Sequence, residues 1–205
     1  GGSSPATPVA KSESIAKACE GRDGWGDPAP PAHVFGNTYM VGTCGIVSLL
    51  ITTPQGHFLI DGAVPEAATE IEANIRDLGF DPKDVRYLLN THEHIDHSGG
   101  LAGLKRITGA KMVARAEAKV ALETGTVHPS DPQKGLFDPV EGVKVGTVIA
   151  MAAGRRVMRN ADTGDDTAVP TLDQQSDAAN TTVSSRPANH LRILLVDDEE
   201  MIIRS

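Results

Sequence analysis

Val-Arg-Tyr-Leu-Leu-Asn-Thr-His-Glu-His-Ile-Asp-His-Ser-Gly-Gly, residues 85 to 100, runs from a short apolar segment straight into a knot of metal-binding side chains. Val85 to Leu89 has the length and composition of a buried strand. His92, His94, Asp96 and His97 then fall within six residues. Imidazoles and carboxylates are the ligands of catalytic zinc, and a rigid turn is needed to make them converge. A loop at the C-terminal end of a strand is a common place for chemistry in layered α/β folds.

His92 and His94 are two apart, so on an extended or turning backbone both can point the same way and suit one ion. Asp96 and His97 follow too closely to join the same tetrahedron easily, but they reach a second ion. The expected product is a two-zinc site. Zinc lowers the pKa of its bound water toward ~7, and the hydroxide attacks a polarised carbonyl. Asp96 would orient that hydroxide, which makes it the candidate catalytic residue as well as a ligand. Glu93 and Ile95 alternate away from the ligands and are expected to face outward or pack. Unrelated surface histidines, or one structural zinc, would explain this density of ligand types poorly.

Upstream, three antiparallel strands are predicted over Val34 to Val41, Ile46 to Thr52 and Phe58 to Asp61. Thr53-Pro54-Gln55-Gly56 supplies the turn between the last two. Asp61, before Gly62, has two readings of equal weight: a carboxylate that fixes the tautomer of a ligand imidazole, or a plain Asp-Gly turn. A helix is expected from about Pro65 to Leu78, with Ala68, Ile71, Ile75 and Leu78 on one face and Gly79 at its end. Downstream, helices are expected over Leu101 to Ile107 and Arg115 to Glu123, with a strand over Lys111 to Ala114 between them. A loop with Pro129, Pro132 and Pro139 follows. This order after an antiparallel start is α/β, with helices packed on a sheet.

The ends read differently. Residues 1–33 are rich in Pro, Gly, Ala and Ser and are expected to be a loosely ordered lead-in, with a helical stretch near Ser14 to Cys19 and Trp25 as an anchor onto the core. All seven aromatic residues precede residue 146. Residues 146–190 are polar and aperiodic, and are expected to be a low-order segment. Leu191 to Val196 then reads as one apolar strand before an acidic run. Cys19 and Cys44 are read as two unpaired thiols rather than a bridge.

With 205 residues, 40% of them hydrophobic, the chain can bury one good-sized core. Its 19 basic and 27 acidic residues give a formal charge of -8, which argues against a nucleic-acid partner. No apolar run is long enough to span a membrane. No export signal is visible, so the expectation is a cytosolic protein or one whose signal peptide is already removed.

Thr91 to His97, which reads T-H-x-H-x-D-H, and Leu59 to Gly62, which reads L-I-D-G, resemble the two signatures of the metallo-β-lactamase superfamily. The run Val34 to Ala63, the stretch Asn74 to Leu89 and Asp131-Pro132-Gln133 look like the third subclass of class B β-lactamases. The resemblance covers about residues 25–145. It implies a four-layer αββα sandwich, two zinc ions, a small-molecule β-lactam substrate, and opening of the ring of penicillins, cephalosporins and carbapenems. By position it places His92 and His94 on the first zinc, Asp96 and His97 on the second, and Asp61 behind them. It also implies the bacterial periplasm.

The family's further histidine ligands lie in a second αβ half, and no matching motif follows residue 145. His128 and His190 are read as structural or surface residues. The N-terminal half alone, residues 34–145, is therefore expected to be complete. Its uncovered sheet face would favour self-association. Superfamily relatives acting as thioesterases or lactonases share the T-H-x-H-x-D-H motif and are alternatives, as is a non-catalytic remnant that binds zinc weakly. Leu191 to Arg204, with Asp197 and Asp198, resembles the first strand of a response-regulator receiver domain. The segment 191–205 is expected to be non-functional, and its junction with a lactamase-like half predicts a fused or frame-shifted reading frame.

Overall fold

The computed structural model describes residues 12–152, 155–168, 192–195 and 201–204. The chain divides into a unit ending at Ala168 and a second unit from Val169 to Ser205.

The first unit is built on a nine-stranded mixed sheet whose strands lie in sequence order. Four antiparallel strands come first: β1 (Ala32–Phe35), β2 (Thr38–Met40), β3 (Leu49–Ile51) and β4 (His57–Ile60). The single strand expected over Val34 to Val41 is two strands. Gly36 adopts φ 55°, which opens a reversal with Asn37 that periodicity alone does not reveal. The turn at residues 53–56 forms as predicted, with Gly56 at φ 117°.

β4 feeds helix α2 (Ala67–Asp77), a 3-10 turn (Pro82–Asp84), and β5 (Val85–Leu89), which pairs parallel to β4. After the candidate cluster come the single turn α3 (Ile95–Ser98), α4 (Leu101–Thr108) and β6 (Lys111–Arg115), parallel to β5. Met112, Val113 and Ala114 are all buried, as expected of a parallel strand covered on both faces. The core joins Ala68, Ile71 and Ile75 of α2 to Leu101 and Leu104 of α4 over Leu59 and Leu88 of the sheet. The expected helical face of residues 68–78 is thus the buried one.

Helix α5 (Lys119–Thr124) starts four residues later than expected. The sheet then continues through β7 (Thr147–Ala152), β8 (Arg155–Asn160) and β9 (Asp166–Ala168). The low-order expectation for 146–190 is therefore overturned across 147–152 and 155–168. What reads as polar disorder around residue 160 is turn chemistry. Asn160 Oδ1 accepts from Asp162 N at 2.8 Å and Thr163 N at 3.0 Å, and Gly164 takes φ 76°. Residues 169–191, with His190, lie outside the described residues.

The helix expected near Ser14 to Cys19 is present, but the lead-in around it is held to the rest of the unit rather than loosely ordered. Helix α1 (Ser12–Ala18) is formed, Ala29 and Ala32 are buried, and Cys19 is bonded to Cys44 with Cα atoms 5.4 Å apart. The two cysteines are not free thiols. Thr43 Oγ1 donates to Trp25 O at 2.8 Å and Cys44 N to Asp27 O at 2.8 Å, and these bonds hold the two segments in register for the bridge. Trp25 is partly exposed and packs on Phe137, with ring centroids 5.3 Å apart. Residues 1–11 lie outside the described residues.

In the second unit, β10 (Arg192–Leu195) and β11 (Met201–Arg204) pair as an antiparallel hairpin. The likeness to a receiver domain's first strand, which would enter a parallel sheet, is not borne out. Asp197 and Asp198 lie outside the described residues.

Candidate metal centre

Because β4 and β5 are parallel neighbours, their C-terminal ends open on the same side of the sheet, and Asp61 arrives beside Asn90 and Thr91. Asp61 N donates to Leu89 O at 2.9 Å, which continues the ladder by one residue. The chain then bends sharply, with Asp61 at φ 61° and Ala63 at φ 51°. Aspartate tolerates that region, whereas Ala63 there stores strain of order 1 kcal/mol.

The Asp61 side chain is buried and accepts four bonds. Asn90 Nδ2 (3.1 Å) and Thr91 N (2.8 Å) donate to Oδ1, while Thr91 Oγ1 (2.6 Å) and His97 Nδ1 (2.9 Å) donate to Oδ2. Asp61 forms the bend, and it orients an imidazole of the cluster.

The three imidazoles gather as the sequence suggests. The His92 ring lies 4.7 Å from that of His94 and 4.2 Å from that of His97, between centroids. Each spends one ring nitrogen on an oxygen outside the cluster. His97 Nδ1 donates to Asp61, and His94 Nε2 donates to Asp131 Oδ2 at 3.0 Å. Thr91 Oγ1 gives its only proton to Asp61, so at 3.0 Å it accepts from His92 Nδ1. The tautomers so fixed leave a lone pair on His92 Nε2, His94 Nδ1 and His97 Nε2, which is how ligating histidines are prepared. Asp96 stands next to them, its Oδ2 3.5 Å from His97 Nε2.

Electrostatics follow the contacts. The bond to Asp61 holds the His97 imidazole above its ordinary pKa, with burial opposing and the Asp61 and Asp96 charges helping. Burial first, and then the neighbouring His97 and His94, push His92 below its ordinary value. The Gln133 backbone N–H and then His94 hold the Asp131 carboxyl low.

Glu93 and Ile95 point elsewhere, as expected. Glu93 lies 3.7 Å from Arg115, and Glu93 and Ile95 line a cleft of about 190 Å³ with Leu122, Gln133 and Phe137. None of the three histidines lines that cleft, so it is a neighbour of the cluster and not its mouth. His128 is exposed and bonds Ser130, in keeping with a surface role. Two residues that touch the cluster had no assigned role from sequence, Asp131 and Gln133. Their motif, Asp-Pro-Gln in a proline-rich loop, announces a turn but not where that turn docks.

The donor types fit zinc: three imidazoles and a carboxylate, with one nitrogen of each imidazole anchored. The set is nevertheless open. Among the described residues, no three His, Cys, Asp or Glu side chains already form a cage. The rings are neighbours all the same.

Residues 41–174 match the family model described as the metallo-beta-lactamase superfamily. The structure is similar to that of the metallo-β-lactamase MIM-1 from Novosphingobium pentaromativorans, with 47% identity, a TM-score of 0.65, and cover of 71% of this chain and 56% of that one. It is also similar to MEM-A1, a subclass B3 metallo-β-lactamase from a soil metagenome library, with 43% identity, a TM-score of 0.58, and cover of 67% and 51%. Among curated relatives, the N-acyl homoserine lactonase AttM of Rhizobium johnstonii is 33% identical over 94 residues, covering 35% of each chain. The chain spans about half the length of these solved structures and about a third of that lactonase. With its mixed sheet and its histidine-bearing loop after β5, the chain belongs to the metallo-beta-lactamase superfamily.

Proposed function

We propose that the cluster is the N-terminal half of a zinc-dependent hydrolase site that opens the β-lactam ring of antibiotics. The observation that carries this reading is the orientation of the imidazoles: each is anchored through one nitrogen, which leaves the other available to a metal. His92 and His94 would hold one zinc, and Asp96 and His97 a second. When bound, zinc supplies Lewis acidity toward a carbonyl and makes water acidic enough to react near neutral pH. The chain's own part is to fix the ligands: Asp61 holds His97 and Thr91, Thr91 holds His92, and Asp131 holds His94. Asp96, beside His97, would orient the reacting water, which makes it the candidate catalytic residue. The greater identity and cover of the lactamase structures favour a lactam over other cyclic substrates.

A second reading has one specific support, the lactonase similarity over 94 residues. A lactone ring presents the same carbonyl chemistry as a lactam, so the same ligand set would serve it, or a thioester. A non-catalytic zinc-binding remnant is the reading to which loss of the second half would lead. The Cys19–Cys44 bridge supports an oxidising compartment, in keeping with the periplasm. No helix among the described residues is long and apolar enough to cross a membrane.

Metal analysis combined with turnover of a penicillin, a carbapenem and an N-acyl homoserine lactone decides among these. Zinc uptake with lactam turnover is expected. Turnover of the lactone alone would move the assignment to a lactonase, and zinc uptake without turnover of any of the three would leave the remnant. Sedimentation would test self-association, for which a concentration-dependent mass is expected.

A further inference from the structure

The loop after α5 carries none of the four cluster residues, yet its side chains make three bonds to them or to their helix. Asp131 Oδ2 accepts from His94 Nε2 at 3.0 Å. Gln133 Oε1 accepts from Ile95 N at 3.0 Å, at the start of α3, and Gln133 Nε2 donates to Asp96 Oδ1 at 3.2 Å. The amide orientation follows from its partners. A backbone N–H can only donate, so the oxygen faces Ile95, and the NH₂ must then face the Asp96 carboxylate.

The loop is itself held rigidly. Gln133 N donates to Asp131 Oδ1 at 2.7 Å, Asp131 N to His128 O at 2.9 Å and Lys134 N to Asp131 O at 3.0 Å. Pro132 fixes φ between the two polar residues. Helix α3 is a single turn, too short to hold Asp96 and His97 in place by its own hydrogen bonds.

We infer that the segment from His128 to Gln133 is a strap that aims two of the proposed ligands, with Gln133 directing Asp96 and Asp131 directing His94. The inference rests on the metal reading above. Gln133 occupies one lone-pair direction of Asp96 Oδ1 and turns Oδ2 toward His97 Nε2, so both members of the proposed second pair face the same space. These are positioning residues. They act through the ligands and need not touch a substrate.

The test is titration of the whole chain with cobalt(II), read from its visible absorption, and with zinc against a chromophoric chelator. Wild type is compared with Gln133→Glu and Gln133→Met. Gln133→Glu keeps the size and the acceptor for Ile95 N but turns the donor to Asp96 into a repelling oxygen. Gln133→Met removes both bonds without adding charge. Affinity is expected to fall roughly 10- to 100-fold in both, with the cobalt absorption altered. Metal-free melting should remain close to that of wild type.

Wild-type affinity and an unchanged cobalt spectrum in both variants would overturn the strap while leaving the metal site intact. Absence of cobalt uptake by wild type would overturn the metal reading, and the strap with it. If Gln133→Glu does not fold, Gln133→Met yields the same two outcomes.

Discussion

Asp61 Oδ2 lies 2.9 Å from His97 Nδ1, and the same carboxylate accepts from Asn90 and twice from Thr91, so one buried side chain ties the end of β4 to the end of β5 and to α3. Asp61→Asn is the informative substitution, because asparagine tolerates the positive φ of this position. Its NH₂ would face His97 Nδ1 and force that nitrogen to accept, which places the proton on Nε2. Metal affinity is expected to fall roughly 10- to 100-fold with the fold retained. Chelator competition and circular dichroism check this, and unchanged affinity would remove Asp61 from the site.

The Cys19–Cys44 bridge closes a separation of 25 residues between α1 and the loop before β3. Reduction, or Cys44→Ser, is expected to cost about 3 kcal/mol, or a melting temperature lower by roughly 6–12 °C. Calorimetry with and without reductant measures it. Equal melting under both conditions would mean that the bond contributes nothing to stability.

Asn74, buried on α2, donates through Nδ2 to Ala29 O and Val41 O, each at 3.0 Å. It is the main polar tie between α2 and the N-terminal segment. Asn74→Ala leaves two carbonyls unpaired and is expected to lose about 2–3 kcal/mol of stability. Asn74→Asp should lose more, since its oxygens would oppose those carbonyls. Urea unfolding of the two variants would show the order reversed if packing, rather than hydrogen bonding, holds this position.

His57 on β4 is buried against Phe80, and its Nδ1 accepts from Thr53 N at 3.3 Å. Burial holds its imidazole below the ordinary 6.5, partly offset by the nearby Asp84 charge. The unfolded chain therefore takes up this proton first as the pH falls below roughly 6.5. Stability from His57 is complete above that pH and declines below it, until the folded imidazole is also protonated. Between pH 7.5 and 5.5 the wild type should lose more melting temperature than His57→Gln. Parallel curves would exclude His57 as a source of acid sensitivity.

The cluster was legible because its four side chains fall within six residues. A period of two places His92 and His94 together, and the strand before them fixes where they emerge. Helix α2 was legible for a similar reason, since Ala68, Ile71 and Ile75 repeat at helical spacing. The strap was not, because the bonds of Asp131 and Gln133 to the cluster span 37 and 38 residues and depend on how the loop after α5 folds back. The strands from Thr147 to Ala168 were hidden by composition. They carry no aromatics, and their turn is made by polar residues that read equally well as disorder. The disulfide escaped because spacing alone does not show that Trp25 and Asp27 dock on Thr43 and Cys44.

Gly62 and Gly100 bring the end of β4 and the start of α4 into direct backbone contact. Gly62 N donates to His97 O at 2.8 Å and Gly100 N to Ala63 O at 3.0 Å. A Cβ on Gly62 would lie 2.8 Å from Leu101 N, and one on Gly100 would overlap the Gly62 carbonyl oxygen. With no side chain to act as a spacer, a local opening that separates these backbones also unseats His97 from Asp61. The amides of Gly62 and Gly100 are therefore reporters of the site, and their hydrogen exchange should slow on metal binding by the factor that binding adds to the closed state.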